Sequence, residues 1–355
     1  MVKAVRGDGP ARVTLRDVAR EAGISIGTVS MALSRDPRVA ESTRERVAAA
    51  AVRLGYVYDR GAAGLRKQKS GLVGFAVNDL NHAYHAGVAA GIESRLAAMG
   101  HVLVLGNADE NAERQLKFLS ALHEHRVDGI LITPAYGMTA ELLAKVVAWG
   151  IPLVQVSREV VGAGVDFVAA AHRAAFRGLA KHLIGLGHRR IALVGGEPTT
   201  STATERAAGY REALDVAGIP FDPRLHVPGR VSRDGGFQAV EPLLHLADPP
   251  TAVMAFNDEV AFGVMLGLRS RGVEPGIDCA VTGAEDTPEA ELWRPQLASA
   301  LLDAARIGAT AADLLLARIR DPALAPGRVI IDSPLKLRAS ACPPPAAVRR
   351  ATGGR

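Results

Sequence analysis

The stretch Gly23-Ile24-Ser25-Ile26-Gly27 has the G-x-S-x-G spacing that presents a nucleophilic serine for acyl transfer. That chemistry needs a strand before the serine and a helix after it, so that a strained turn exposes the hydroxyl. Here a helical pattern precedes Ser25, and a serine opening a second helix is accounted for as an N-cap. Other reactive constellations are absent from the sequence. His82, His85, His123 and His125 have no partner cysteines and no H-E-x-x-H spacing, and His123 and His125, two apart on a helix, point to different faces. No G-x-x-x-x-G-K-[ST] occurs, and Gly195-Gly196 follows a strand without the remaining glycines of a dinucleotide loop. We expect neither metal, nor cofactor, nor catalysis.

The chain has 355 residues, 48% of them hydrophobic, which excludes a disordered protein. No apolar run reaches the roughly 18 to 20 residues of a membrane helix, and Met1 to Asp17 holds no apolar core of a signal peptide. Two cysteines, Cys279 and Cys342, cannot build a disulfide framework. A cytoplasmic protein is expected. The formal charge of +5 is unevenly placed: residues 1 to 69 hold 14 Lys and Arg against 7 Asp and Glu, and the remainder is slightly acidic. A basic module on an acidic body points to a polyanionic partner, nucleic acid foremost.

The elements that would present such a module can be read from caps and spacing. Thr14, with Asp17 three residues on, opens a helix whose apolar face is Leu15, Val18, Ala19 and Ala22, and Gly23 can end it. Ser25 starts a second helix with Val29, Ala32 and Leu33 inward. The connection is too short for antiparallel packing, which makes the pair a helix-turn-helix. A third helix is expected from a capping box of Ser42 with Glu45, with Val47, Ala50, Ala51 and Leu54 inside and Gly55 at its end. Ile26, Gly27, Ser30, Met31 and Ser34 then face outward at the start of the second helix, where side chains reach base edges in a major groove.

Thr14-Leu15-Arg16-Asp17-Val18-Ala19, Gly23-Ile24-Ser25, Thr28-Val29-Ser30, Arg38-Val39, Thr43-Arg44-Glu45-Arg46-Val47 and Leu54-Gly55-Tyr56 resemble, without gaps, the DNA-binding headpiece of the LacI family of bacterial repressors. The resemblance implies that residues 13–58 bind operator DNA. Thr14, Arg16, Ser25, Thr28, Ser30, Ser34, Arg38, Thr43 and Tyr56 are its candidates for phosphate and groove-edge contacts, which set affinity and register. Base choice falls to Ile26, Gly27 and Met31, where better-known members carry polar residues and an arginine; Met31 either offers apolar contact to a thymine methyl or is merely tolerated near the backbone. Residues 59–70 resemble the family's hinge helix, with Leu65 at the place of the leucine that wedges into the minor groove; a plain basic linker is the alternative.

From Leu72 onward apolar runs at Leu72–Val77, Val102–Leu105, Gly129–Thr133, Pro152–Val156, Ile191–Val194, Thr251–Ala255 and Ile277–Val281 alternate with amphipathic helices. This predicts parallel, doubly wound sheets, and the length predicts two α/β lobes. The resemblance continues through Asp79, Arg126-Val127-Asp128-Gly129-Ile130, Gly187-His188-Arg189-Arg190, Gly209-Tyr210 and Phe256-Asn257-Asp258, and implies a periplasmic-binding-protein-like domain over 71–342. Lobe one would be 71–170 plus 302–328 and lobe two 171–300 plus 329–342, with crossings near Ala170, Leu301 and Arg328. Residues 343–355 read as a disordered tail without the leucine heptads of a tetramer. At strand ends, where such folds hold ligands, lie His82, Tyr84, His85, Ser157, Arg158, Thr200, Thr202, Arg206, Val231, Asn257 and Glu285, which match the family's effector positions. Ser157 and Glu285 each replace a usual aspartate, and Val231 a common stacking aromatic. Arg158 either favours an anionic sugar derivative or pairs with Glu159 or Asp166. The whole implies a homodimeric regulator controlled by a small sugar-like effector. A solute-binding protein with no DNA role is the alternative that the body alone would support.

Overall fold

A computed structural model describes residues 13–34, 36–57 and 70–345. The expected hinge with Leu65, and most of the expected tail, lie outside the described residues. The chain divides into two compact units, residues 1–70 and 71–355.

The first unit holds α1 (Leu15–Ala22), α2 (Ile26–Leu33) and α3 (Glu41–Leu54). The Asp17 carboxylate accepts from the Thr14 amide at 3.0 Å and from its hydroxyl at 2.7 Å, holding the start of α1. Gly23, at φ 65°, ends α1 in the left-handed region that a Cβ disfavours. Val18, Val29, Val47 and Ala50 form a fully buried core around which the helices close. The third helix departs from expectation. Its N-cap is Ala40, and no side chain caps it, so Ser42 lies inside the first turn and the Ser42–Glu45 box does not form.

The second unit runs β1 (Leu72–Val77), α4 (Ala83–Ala98), β2 (Val102–Asn107), α5 (Ala112–Glu124), β3 (Gly129–Ile132), α6 (Ala140–Val147), β4 (Leu153–Val156), β5 (Asp166–Ala170), α7 (His172–Gly185), β6 (Ile191–Val194), α8 (Ser201–Val216), β7 (His226–Val227), α9 (Arg233–Leu244), β8 (Ala252–Ala255), α10 (Asp258–Arg269), β9 (Ala280–Glu285), α11 (Pro288–Leu292), β10 (Ala298–Leu301), α12 (Ala304–Arg320), β11 (Arg328–Ile331) and β12 (Leu335–Lys336). Two sheets result, ordered β11-β5-β4-β3-β1-β2 and β12-β10-β9-β8-β6-β7, parallel except for the β10–β12 pair. Their central strands are buried on both faces, as helix-covered parallel sheets require.

Two placements shift. The run Ile277–Val281 is not the strand: Ile277 is exposed, and pairing starts at Ala280. Arg328–Ile331 pairs with β5 in the first sheet, so the third crossing comes after Ile331 rather than near Arg328. Asp166 anchors this return, accepting from Arg318 at 2.9 and 3.0 Å and from the Gly327 amide at 2.6 Å.

Helix pairs clamp each lobe by close backbone approach. Gly91 on α4 faces the Ala305 carbonyl and Gly308 on α12 the Val88 carbonyl, with no room for a Cβ at either. Gly236 and Gly263 do the same between α9 and α10, and Gly209 between α8 and α7.

Candidate functional site

In the first unit the candidate surface is the open face of α2. Ser25 lies after α1, not after a strand, and its hydroxyl accepts from the Thr28 amide at 3.1 Å while sharing a 2.9 Å bond with the Thr28 hydroxyl. The nucleophile-elbow geometry is therefore not met. Ile26 is 45% exposed and lies outside the packed core, whereas Met31 is half-buried against it. Of the two apolar candidates, Ile26 is the more open to a base, and Met31 is exposed only in part. A Cβ on Gly27 would meet only the Ser25 hydroxyl, at 3.8 Å, so this position is open. Thr14, Arg16 and Ser25 are exposed, and Thr28, Ser30 and Thr43 are half-buried. Arg38 is held through its Nε and Nη2 by the Asp36 carboxylate, at 3.0 and 2.8 Å, which directs the guanidinium while the side chain stays exposed. Ser34 donates to the Met31 carbonyl at the end of α2, and Tyr56 packs on the headpiece core. Both are structural as much as exposed.

In the second unit a cavity of about 520 Å³ is lined by His82, Tyr84, His85, Ser157, Arg158, Thr202, Arg206, Val231, Asn257 and Glu285. Thr200, the remaining candidate, is not on its wall: it is the N-cap of α8, accepting from the Ala203 amide at 3.3 Å. Asn78, Asp79, Asp109, Glu110, Thr133, Tyr136, His172, Arg230, Ser232 and Phe256 complete the lining. Backbone strain concentrates here. Ser157, Glu285, Asp109 and Glu110 are non-glycine residues at φ 64°, 114°, 54° and 51°, and each lines the cavity. Such conformations persist where surrounding contacts enforce them, commonly at ligand sites.

Arg206, 4% exposed, is the central cation. Its Nη1 donates to the Phe256 carbonyl and its guanidinium lies 4.0 Å from the Phe256 ring centre. Burial lowers its pKa to about 10 despite the nearby Glu285 carboxylate. Burial, aided by Asp258, raises Glu285 to about 8, so this acid carries its proton at neutral pH and can donate as well as accept. Asn257 Nδ2 donates to Glu285 at 3.3 Å, while its Oδ1 caps α10. Opposite, the Tyr84 and Ser157 hydroxyls share a 2.8 Å bond in a buried setting. Burial first, then His82, Arg158 and Arg206, lowers His85 to about 3, keeping it neutral.

Arg158 follows the pairing alternative, with a different acid. Its guanidinium is bidentate on Glu110, at 2.9 and 3.0 Å, donates to the Pro134 carbonyl at 2.7 Å and lies 4.9 Å from the Tyr136 ring centre. Glu159 and Asp166 instead hold Arg328 and Arg318. The charge of Arg158 is thus spent within the wall. Glu110 is further fixed by Asn78 Nδ2 at 2.7 Å and the Tyr136 amide at 3.1 Å. Several buried polar atoms on the wall have no partner, among them Asn78 Oδ1, His85 Nδ1, Thr133 Oγ1 and Arg206 Nε. A preformed cavity with unspent donors and acceptors suits a small polyhydroxylated ligand. Apart from His172, the first residue of α7, the residues missed by sequence reasoning lie outside helices and strands, where no periodicity encodes their direction. The strand-end positions Asn78, Thr133 and Phe256 carried a usable signal.

Among the described residues no group of three or more His, Cys, Asp or Glu could hold a metal ion, and no helix is long and apolar enough to cross a membrane.

Comparison with known proteins fits this arrangement. Residues 14–59 match the family of bacterial regulatory proteins, lacI family, and residues 70–339 the family of periplasmic binding proteins and sugar binding domain of LacI family. Catabolite control protein A of Priestia megaterium is 33% identical over 311 residues, covering 85% of this chain and 91% of its own. The maltose regulon regulatory protein MalI of Escherichia coli (strain K12) is 34% identical over 75% of this chain and 78% of its own. Among solved structures, the lac repressor dimer bound to operator and the anti-inducer ONPF matches with TM-score 0.83 at 29% identity, covering 93% of this chain and 99% of that one. The CelR–cellobiose complex matches at TM-score 0.71 and 30% identity over 93% and 100%. The chain belongs to the LacI family: it is a DNA-binding transcriptional regulator with a helix-turn-helix headpiece and a two-lobed effector-binding domain.

Proposed function

We propose that this regulator acts as a cytoplasmic homodimeric repressor whose affinity for a near-palindromic operator is set by a neutral sugar-like effector in the cavity between the lobes. Two headpieces related by a twofold axis would read two half-sites. Ser25, Thr28, Thr14, Arg16, Ser30 and Thr43 would contact phosphates, and Ile26, Gly27 and Met31 the base edges. The observation that carries the effector class is the Glu110–Arg158 pair: the charge of that arginine is met within the wall, which leaves Arg206, Asn257 and the wall hydroxyls as hydrogen-bonding groups for a hydroxylated ligand. Arg206, Asn257 and Glu285 would hold adjacent hydroxyls from one lobe, with Ser157, Tyr84 and His85 facing them. Closure on the ligand would shift the lobes relative to each other and so bias the operator-bound state. CelR, a structural relative, is described in complex with cellobiose, which supports a carbohydrate.

The test is selection of binding sites from random DNA with the full chain, followed by gel-shift titration of the selected site with a panel of neutral sugars, sugar acids and sugar phosphates. A palindromic consensus released or tightened by a neutral sugar is expected. Salt-insensitive binding, or none at any sequence, overturns the regulatory reading; response to a sugar phosphate alone overturns the effector class.

A further inference from the structure

The cavity between the lobes is longer than the groups so far assigned to its ligand. In lobe one its wall passes over the ends of four neighbouring strands, from Ser157 after β4, through Thr133 after β3 and Asn78 after β1, to Glu110 beyond β2. In lobe two it passes over four more, from Glu285 at the end of β9, through Asn257 after β8 and Arg206 beyond β6, to Val231 beyond β7. With neighbouring strands about 4.8 Å apart, three spacings make a trough about 14 Å long. A pyranose ring, built from single bonds of about 1.5 Å, spans about half of that length with its hydroxyls. Two linked rings fill it.

The inner half holds the groups already described. The Tyr84 hydroxyl, bonded to Ser157, stands where the charges of Glu285 and Arg206 both act on it. The outer half has polar groups of its own, and they are unspent. Asn78 is 2% exposed. Its Nδ2 donates to the Glu110 carboxylate at 2.7 Å, which fixes the amide orientation and leaves Oδ1, an acceptor, buried without a partner. Thr133 is 1% exposed. Its amide donates to the Ala76 carbonyl at 3.0 Å and its carbonyl accepts from Gln115 Nε2 at 2.9 Å, while its hydroxyl has no partner. Ligand hydroxyls can serve both atoms, since a hydroxyl donates and accepts.

This end of the wall is also rigid. Glu110 receives Arg158, Asn78 and the Tyr136 amide together, and it and Asp109 hold positive φ. Arg158 lies against the Tyr136 ring, which with Val231 adds apolar surface to the lining. A few fixed polar atoms beside apolar surface are what a sugar ring, with polar edges and C–H faces, requires.

We propose that the cavity is built for a disaccharide, with one ring at Arg206, Asn257 and Glu285 and a second ring at an outer subsite made by Asn78, Thr133 and Tyr136. The inference rests on the sugar-like effector proposed above and adds its size. The outer groups belong to lobe one and the inner clamp to lobe two, so the second ring adds a link between the lobes.

The test is calorimetric titration of the full chain, without DNA, with glucose, galactose, maltose, cellobiose and lactose. At least one disaccharide should bind about 10- to 100-fold more tightly than either of its component sugars, as two further hydrogen bonds provide. Thr133→Val removes a hydroxyl that no protein group uses, and Tyr136→Ala keeps the amide that holds Glu110, so both variants should fold, as their thermal midpoints will show. Each should cut the disaccharide-to-monosaccharide affinity ratio by about 5- to 10-fold. A monosaccharide that binds as tightly as every disaccharide overturns the second ring and leaves the sugar reading standing. Binding of none of the five removes the sugar reading and this inference with it. A ratio unchanged in both folded variants overturns the outer subsite, since the second ring would then lie elsewhere.

Discussion

Replacing Met31 by arginine should convert one apolar position of the recognition helix into a guanine reader. Met31 lies one turn beyond Gly27 on the open face of α2, and Gly27 presents nothing that an extended arginine would strike, since even a Cβ there meets only Ser25 Oγ at 3.8 Å. The half-buried Met31 stem rests on the headpiece core, and the arginine methylenes can take over that contact, so the fold should lose about 1 kcal/mol or less. A bidentate arginine–guanine pair discriminates by about 1–3 kcal/mol, which is roughly 5- to 150-fold in relative affinity. Binding-site selection with wild type and variant at one fixed salt concentration, then titration of sites differing at a single symmetric base pair, measures the effect. A shift toward G·C at one position per half-site is expected. If the variant remains folded and binds DNA with an unchanged base preference, Met31 does not face the groove and the orientation assigned to α2 is wrong.

Arg206→Gln should weaken the effector by about 10- to 100-fold, the loss of one or two charge-assisted hydrogen bonds, read by calorimetry with whichever sugar releases the operator; a change under threefold would remove Arg206 from the site. Glu285 is raised from 4.5 to about 8 by burial, so the folded state keeps a proton that the unfolded chain releases; folding stability should fall as pH rises through that window. Glu285→Gln should flatten the denaturant-measured stability between pH 5 and 8, and an unaltered pH profile would contradict the burial argument. Asp166→Ala strips the buried partner from Arg318 and the Gly327 amide and should cost about 3–5 kcal/mol, measured by urea unfolding. Gly308→Val should disrupt the α4–α12 contact and lower the midpoint sharply, whereas Gly27→Ala should not destabilise the headpiece.

The headpiece was largely legible because its signals are local. Thr14 with Asp17, Ser25, Gly23 and Gly55 each state a helix boundary within a few residues of chain. The exception was Ser42–Glu45, where the helix begins two residues early, at Glu41, with no capping side chain. In the body the strands carried by apolar runs were legible, but β5, β7, β10, β11 and β12 were not: β7 and β12 span two residues each, β5 and β10 are half small residues, and β11 is a largely exposed edge, so none carries a clear apolar run of its own. The cavity was legible in part. Strand ends located Tyr84, Ser157, Arg206 and Asn257, while the partner of Arg158 was not among its neighbours in sequence; Glu110 lies 48 residues away. The charge of an isolated arginine suggested an anionic ligand, and only the three-dimensional pairing withdrew it.

The return of the chain to its first sheet has a consequence for birth rather than for binding. The first sheet lacks its edge strand and its covering helix α12 until Ile331 is made, although its other strands are complete at Ala170. About 160 residues separate those points, on the order of 10 to 30 seconds of ribosomal synthesis. Through that interval the lobe that begins first waits with Asp166 lacking Arg318 and with the α4 glycine face uncovered. The nascent chain therefore finishes its lobes nearly together, and a premature stop before Arg328 leaves both unfinished rather than one intact.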